Sequence, residues 1–202
     1  MTIVLSVLVG LGLAAACGFR VFLPLLIASL AVKAGWLTVT PGFAWMGSDE
    51  AMIAFAVASG LEILGYWIPW LDHALDVLAA PAAVVAGTLL AASQFGFTTS
   101  SGGQLLQWSL ALVAGGGAAG VVQAGTSLVR AGSTAITGGL GNPLVSTVEA
   151  AAAGTITVMS IVAPIALWLL LCLMMVLAIR WWQRRQARYV PSGAVGSGAT
   201  AA

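Results

Sequence analysis

Apolar residues run through this chain in long stretches, broken by glycine, proline and short polar clusters more than by charge. A helix of roughly 17–25 apolar residues crosses the hydrocarbon core of a bilayer. Six stretches fit that length as helices: 3–31, 51–68, 77–93, 105–129, 143–161 and 164–186. The predicted fold is all-α, a polytopic membrane bundle. Local signals set the ends. In "GSDEAM", Ser48 can cap a helix, and Asp49 and Glu50 suit its positive end. Pro143 and Pro164 suit first-turn positions. Residues 144–179 carry no charge after Glu149. As one helix they would span roughly 54 Å, far beyond a bilayer's need. The chain must therefore turn between Gly154 and Pro164. Trp36, Trp45, Trp67, Trp70, Trp108, Trp181 and Trp182 fall near predicted span ends, as an aromatic belt would.

Composition excludes a water-soluble domain. Of 202 residues 60% are hydrophobic and only 6% charged, with a mean hydropathy of +1.06. Soluble domains carry roughly 25% charged residues. Lipid is the expected solvent and partner; the net charge of +1 gives no reason to expect nucleic acid. "MTIVLSVLVGLGLAAAC" has the look of a signal peptide, but no basic residue precedes Arg20 and the apolar run continues past Cys17. It reads as a retained first span. Cys17 and Cys172 lie far apart in apolar runs and read as packing thiols. Arg180, Arg184, Arg185 and Arg188 follow the last span, which places the C-terminus in the cytoplasm of a cell (inner) membrane protein. Six spans put the N-terminus there too. Residues 1–188 form one transmembrane domain and 189–202 a disordered tail. A homo-oligomer is compatible with the sequence, and no cofactor is expected.

The two halves resemble each other weakly. "LVGLGLAAA" at 8–16 matches "LVAGGGAAG" at 112–120, "SGLE" at 59–62 matches "STVE" at 146–149, and "APAA" at 80–83 matches "APIA" at 163–166, in the same order. Three spans per copy make the second copy enter the membrane upside down. Inverted three-helix repeats, 3–93 and 105–186, are therefore expected, with a site between the halves.

The ionisable groups are gathered. Residues 59–76, "SGLEILGYWIPWLDHALD", hold three of the six acids and the only histidine. Glu62 and Glu149 lie inside predicted spans, where a charge costs at least about 2.5–3.5 kcal/mol. Arg20, also inside a run, is their expected partner. One arginine cannot neutralise two glutamates, so the other acid is protonated, binds a cation, or pairs with Arg130. On a continuous helix Glu62, Tyr66, Pro69, His73 and Asp76 would share one face, but Pro69 argues for a break. Asp72, His73 and Asp76 are then expected at the cytoplasmic mouth, as an ion approach or weak metal site with Glu62, or as a solvated turn. "RAGSTAITGGLGNP" at 130–143 is expected to be non-helical, with Asn142 opening a helix that faces it. It lacks the GK[ST] ending of a phosphate loop. "LVAGGGAAGVVQAG" at 112–125 offers small faces for close helix packing.

The stretches "AAACGFRVFLPLLIASLA", "TPGFAWMGS", "LEILGYWIPWLDHALD", "APAAVVAGTLLAAS" and "AGSTAITGGLGNPLVSTVEA" resemble the small bacterial membrane proteins grouped as the domain of unknown function DUF 4126, over residues 8–180. The resemblance implies a membrane protein in which Arg20, Glu62, Asp72, Asp76, Asn142 and Glu149 matter, and it implies no substrate. The expected role is movement of a small solute or cation, with proton coupling through Glu62 and Glu149. A non-transporting scaffold is the alternative. No Ser–His or Cys–His pairing supports an enzyme.

Overall fold

The computed structural model describes residues 2–65, 69–96 and 101–187, apart from the side chains of 69–74, 76, 101 and 185–187. All regular structure among them is helical: α1 (Ile3–Cys17), α2 (Phe22–Lys33), a 3-10 turn (Pro41–Gly47), α3 (Asp49–Gly65), α4 (Pro69–Gln94), α5 (Ser101–Leu110), a π segment (Ala111–Gly116), α6 (Gly117–Thr137), α7 (Asn142–Val162) and α8 (Pro164–Ala187). Four helical stretches are long and apolar enough to cross a membrane: Val77–Gln94, Gly102–Thr137, Asn142–Val162 and Pro164–Arg184. Helices α1 and α2 are apolar but shorter. Two compact units result, Met1–Ile165 and Ala166–Ala202.

The first apolar run does not form the single helix that its hydropathy predicts. It breaks between Cys17 and Phe22. The N–H groups of Gly18 and Phe19 turn back to Ala15 and Ala16 at 3.0 and 3.1 Å, closing α1 in a tight turn. Gly18 permits this by its size. A Cβ there would lie 2.5 Å from both the Ala119 carbonyl oxygen and Val122 Cβ. With 15 residues, α1 reaches only about 22 Å, less than the roughly 30 Å hydrocarbon core.

Two further expectations change. Residues 130–143 are not a loop throughout: α6 runs on to Thr137, and only the short Gly138–Gly141 turn precedes α7. Gly138 and Gly139 take φ of +63° and +91°, a conformation glycine adopts without a Cβ penalty. The Gly138 N–H closes α6 on the Thr134 carbonyl at 2.9 Å. Nor are residues 72–76 a turn; their backbone lies in α4. Pro69 starts that helix, where its missing N–H costs nothing. The expected break does occur at Ala163, between α7 and α8, while the one expected between α3 and α4 falls on residues 66–68, outside the described residues. Tyr66, Trp67 and the tail 189–202 lie outside the described residues.

In the first unit α1 is central, packing on α4, the π segment, α6 and α7, while α2 packs on α3, α7 and the 3-10 turn. Val9, Leu13, Cys17, Leu25, Leu90 and Ala119 belong to the buried core. Small residues bring the backbones together. A Cβ on Gly87 of α4 would lie 2.6 Å from Ala119 Cβ and 3.0 Å from the Gly115 carbonyl oxygen. Gly115 is equally tight against Ala91. Polar ties hold the α2–α3 edge: Ser29 donates to the Met46 carbonyl at 2.6 Å, and Lys33 pairs with Asp49. In the second unit α8 is apolar on every side up to Ile179 and then presents Arg180, Trp181, Trp182 and Arg184. A helix that is apolar all round is a membrane span by composition.

Candidate functional site

The buried charges of the first unit collect where α1 ends and α2 begins. Arg20 lies in the break itself and is 1% exposed. Its guanidinium donates to Ser146 of α7, to the carbonyl at 2.8 Å and to the hydroxyl. It stands 3.6 Å from Glu149, one turn further along the same face of α7. Arg130 of α6 grips Glu149 with two nitrogens: Nε donates to Oε1 at 3.1 Å and Nη2 to Oε2. Such a two-pronged pair fixes geometry as well as charge. Arg130 and Glu149 are both buried.

Glu62 uses the break differently. From α3 its Oε1 accepts the Val21 N–H at 2.8 Å and its Oε2 the Phe22 N–H at 3.0 Å. Those amides open α2 and have no carbonyl partner within that helix. A carboxylate also suits the positive end of the helix dipole. Among the described residues no side-chain cation forms an ion pair with Glu62. Both Arg20 and Arg130 nevertheless act on it electrostatically. Two guanidiniums and two carboxylates thus gather around the break.

The expected contact of Arg20 with an intramembrane acid is therefore present, with Glu149 as its partner. Asn142 is buried at the start of α7, where its Nδ2 donates to the Thr134 hydroxyl at 3.2 Å, tying α7 to α6. Asp72, His73 and Asp76 share α4's backbone, and their side chains lie outside the described residues, as does all of Tyr66. Ser146 was not among the expected site residues, and Arg130, one alternative partner for the acid left over, instead joins Arg20 on Glu149. Ser146 was readable in principle, since it precedes Glu149 by three positions and so shares its helix face.

Replacing Ser146 with alanine removes one acceptor from a buried charged donor. Hydrogen bonds to charged groups contribute about 1.5–3 kcal/mol. Denaturation of the Ser146→Ala protein in detergent should show a loss of that size. An unchanged midpoint would mean that the Ser146 hydroxyl adds nothing to the other contacts of Arg20, the Ser146 carbonyl and Glu149.

The family model described as "Domain of unknown function (DUF4126)" matches residues 7–184. No curated protein and no solved structure matches the chain.

Proposed function

The chain belongs to the DUF4126 family, and from that premise we propose that it is a membrane transport protein for a small solute or cation, with protons coupled through Glu62. One observation carries the reading: a helix broken inside an apolar run, with Arg20, Glu62, Arg130 and Glu149 gathered around the break. Discontinuous helices whose ends face ionisable groups are a recurrent way of building transport sites. Ionisable groups at membrane depth are costly and tend to be functional. Glu149 is held by two arginines and serves as the fixed counter-charge. Glu62 is held by two backbone amides and is the carboxylate free to exchange partners.

Six crossings follow if α1 and α2 together make one discontinuous span. Both termini then face the cytoplasm, and Asp72, His73 and Asp76 form the approach to Glu62. The π segment supports the inverted-repeat reading, since it gives the first helix of the second half an irregularity of its own.

A scaffold is the second reading, favoured by the buried pairing of Glu149 with two arginines. Buried ion pairs can specify a fold without moving anything. Reconstituted vesicles with an internal pH dye separate the two. The parent protein should carry proton flux under imposed sodium or potassium gradients. Glu62→Gln should abolish it with the fold intact, and Asp72→Asn should slow it. Unchanged flux in Glu62→Gln, or its failure to fold, would make Glu62 structural.

A further inference from the structure

A groove of about 560 Å³ lies between the start of α2, α3 and α4. Phe22, Leu61, Leu75, Leu78 and Ala82 are among its walls, and Glu62 is the only ionisable lining residue among the described residues. Cavities of roughly 300–1,000 Å³ take drug-sized molecules. We propose that this groove binds a lipophilic organic cation, a quaternary ammonium or phosphonium or a protonated hydrophobic amine, with its charge against Glu62. The proposal rests on the transport reading in taking Glu62 as the working carboxylate, and it names the class of solute.

Three features of the groove narrow the occupant. First, among the described residues Glu62 has only backbone amides as direct partners. A carboxylate offers about four lone-pair positions, so two remain for a ligand. Among the described residues no side-chain cation pairs with the Glu62 carboxylate, so the open positions favour a cationic group over an anionic one. Second, the walls are apolar. Inorganic cations such as Mg²⁺ or Ca²⁺ require about six or more oxygen ligands or retained waters. One carboxylate in an apolar groove cannot replace a hydration shell. A weakly hydrated organic cation loses little on entering and gains apolar burial. Third, Val21 and Phe22 both line the groove and donate to Glu62. A cation drawn to the carboxylate therefore competes with the start of α2. Occupancy of the groove is thereby tied to the helix break, which an acyl chain, having no charge, would not achieve.

Tetraphenylphosphonium and tetraphenylborate make a matched test, having nearly the same shape and opposite charge. Equilibrium binding of each is measured to the full chain in nanodiscs, with protein-free nanodiscs as background. Tetraphenylphosphonium should bind saturably and tetraphenylborate should not. Glu62→Gln should weaken phosphonium binding at least tenfold. Leu78→Trp, which fills the groove from α4 without touching the charge cluster, should do the same. Equal binding of both probes would show a groove that accepts any hydrophobe, lipid tails included, and would overturn the proposal. So would phosphonium binding indifferent to both variants, or no binding above background. If Glu62→Gln does not fold, Leu78→Trp decides. Saturable, charge-selective binding without flux supports the site while defeating transport. Proton flux without phosphonium binding defeats the site alone.

Discussion

Replacing Glu149 with leucine should leave little folded protein to recover from detergent. Glu149 is the shared partner of two buried arginines, Arg130 through two hydrogen bonds and Arg20 at 3.6 Å. Removing one member of a buried ion pair costs about 3–5 kcal/mol, because the remaining charge stays buried without its counter-ion. Whole domains hold only about 5–15 kcal/mol of net stability. The substitution therefore consumes a large share of the total. Glu149→Gln should be milder, since it keeps the shape and an acceptor oxygen. Coupling Glu149→Leu to Arg130→Met should restore part of the loss by removing the second charge as well. Size-exclusion profiles and melting midpoints of the three variants give the comparison. A Glu149→Leu protein that melts like the parent would show that the arginines find other partners, and the cluster would lose its role in holding the helices.

The second large effect concerns volume. Ala119 is fully buried where three helices meet. A Cβ on Gly87 would sit 2.6 Å from the Ala119 side chain, and one on Gly18 2.5 Å from its carbonyl oxygen. Ala119→Leu adds three carbons where one already has no room. Gly87→Ala, a smaller insult, should cost about 1–3 kcal/mol as overpacking. Gly60 of α3 is the control, since a Cβ there meets nothing within 4 Å. Gly60→Ala should be neutral or stabilise the helix by up to about 1 kcal/mol. Thermal midpoints should thus fall for Gly87→Ala, fall furthest for Ala119→Leu, and hold or rise for Gly60→Ala. Parallel shifts in all three would mean that close backbone approach between α1, α4 and α6 does not limit stability.

Much of the helical plan was legible because apolar length and terminal signals report it directly. Pro143, Pro164 and the Ser48–Asp49–Glu50 start all stand at or beside helix starts. The break after Cys17 was not legible. "AACGFRVFLP" stays apolar across it, and the reason for it lies elsewhere in the sequence: Ala119 and Val122 crowd Gly18, and Glu62 receives the freed amides. The polar look of "RAGSTAITGGLGNP" misled in the other direction. Thr137 hydroxyl donates to the Ser133 carbonyl, so the hydroxyls that suggest a loop are satisfied within the helix. That extension of α6 is also what carries Arg130 inside the bundle. At the site, Arg20 and the two glutamates stood out because charge is rare in so apolar a chain. Arg130 was legible only as one of three alternatives for the acid left over, because it adjoins a glycine-rich stretch that reads as non-helical. A neutral serine such as Ser146 gives no signal until the arginine that needs it is placed.

The short glycine turn between α6 and α7 bears on biogenesis. Arg130 and Glu149 are 19 residues apart in sequence and meet across a hairpin that can close on itself. The two charges can thus leave the translocon as one neutral pair, sparing the bilayer either ion alone. The contact of Arg20 with α7 closes over a far longer stretch of chain. The hydrogen bond to Ser146 spans 126 residues, so the first half is synthesised and inserted before the acceptor exists. The docking of α7 against the α1–α2 break therefore completes the contact of Arg20 with Ser146 and Glu149.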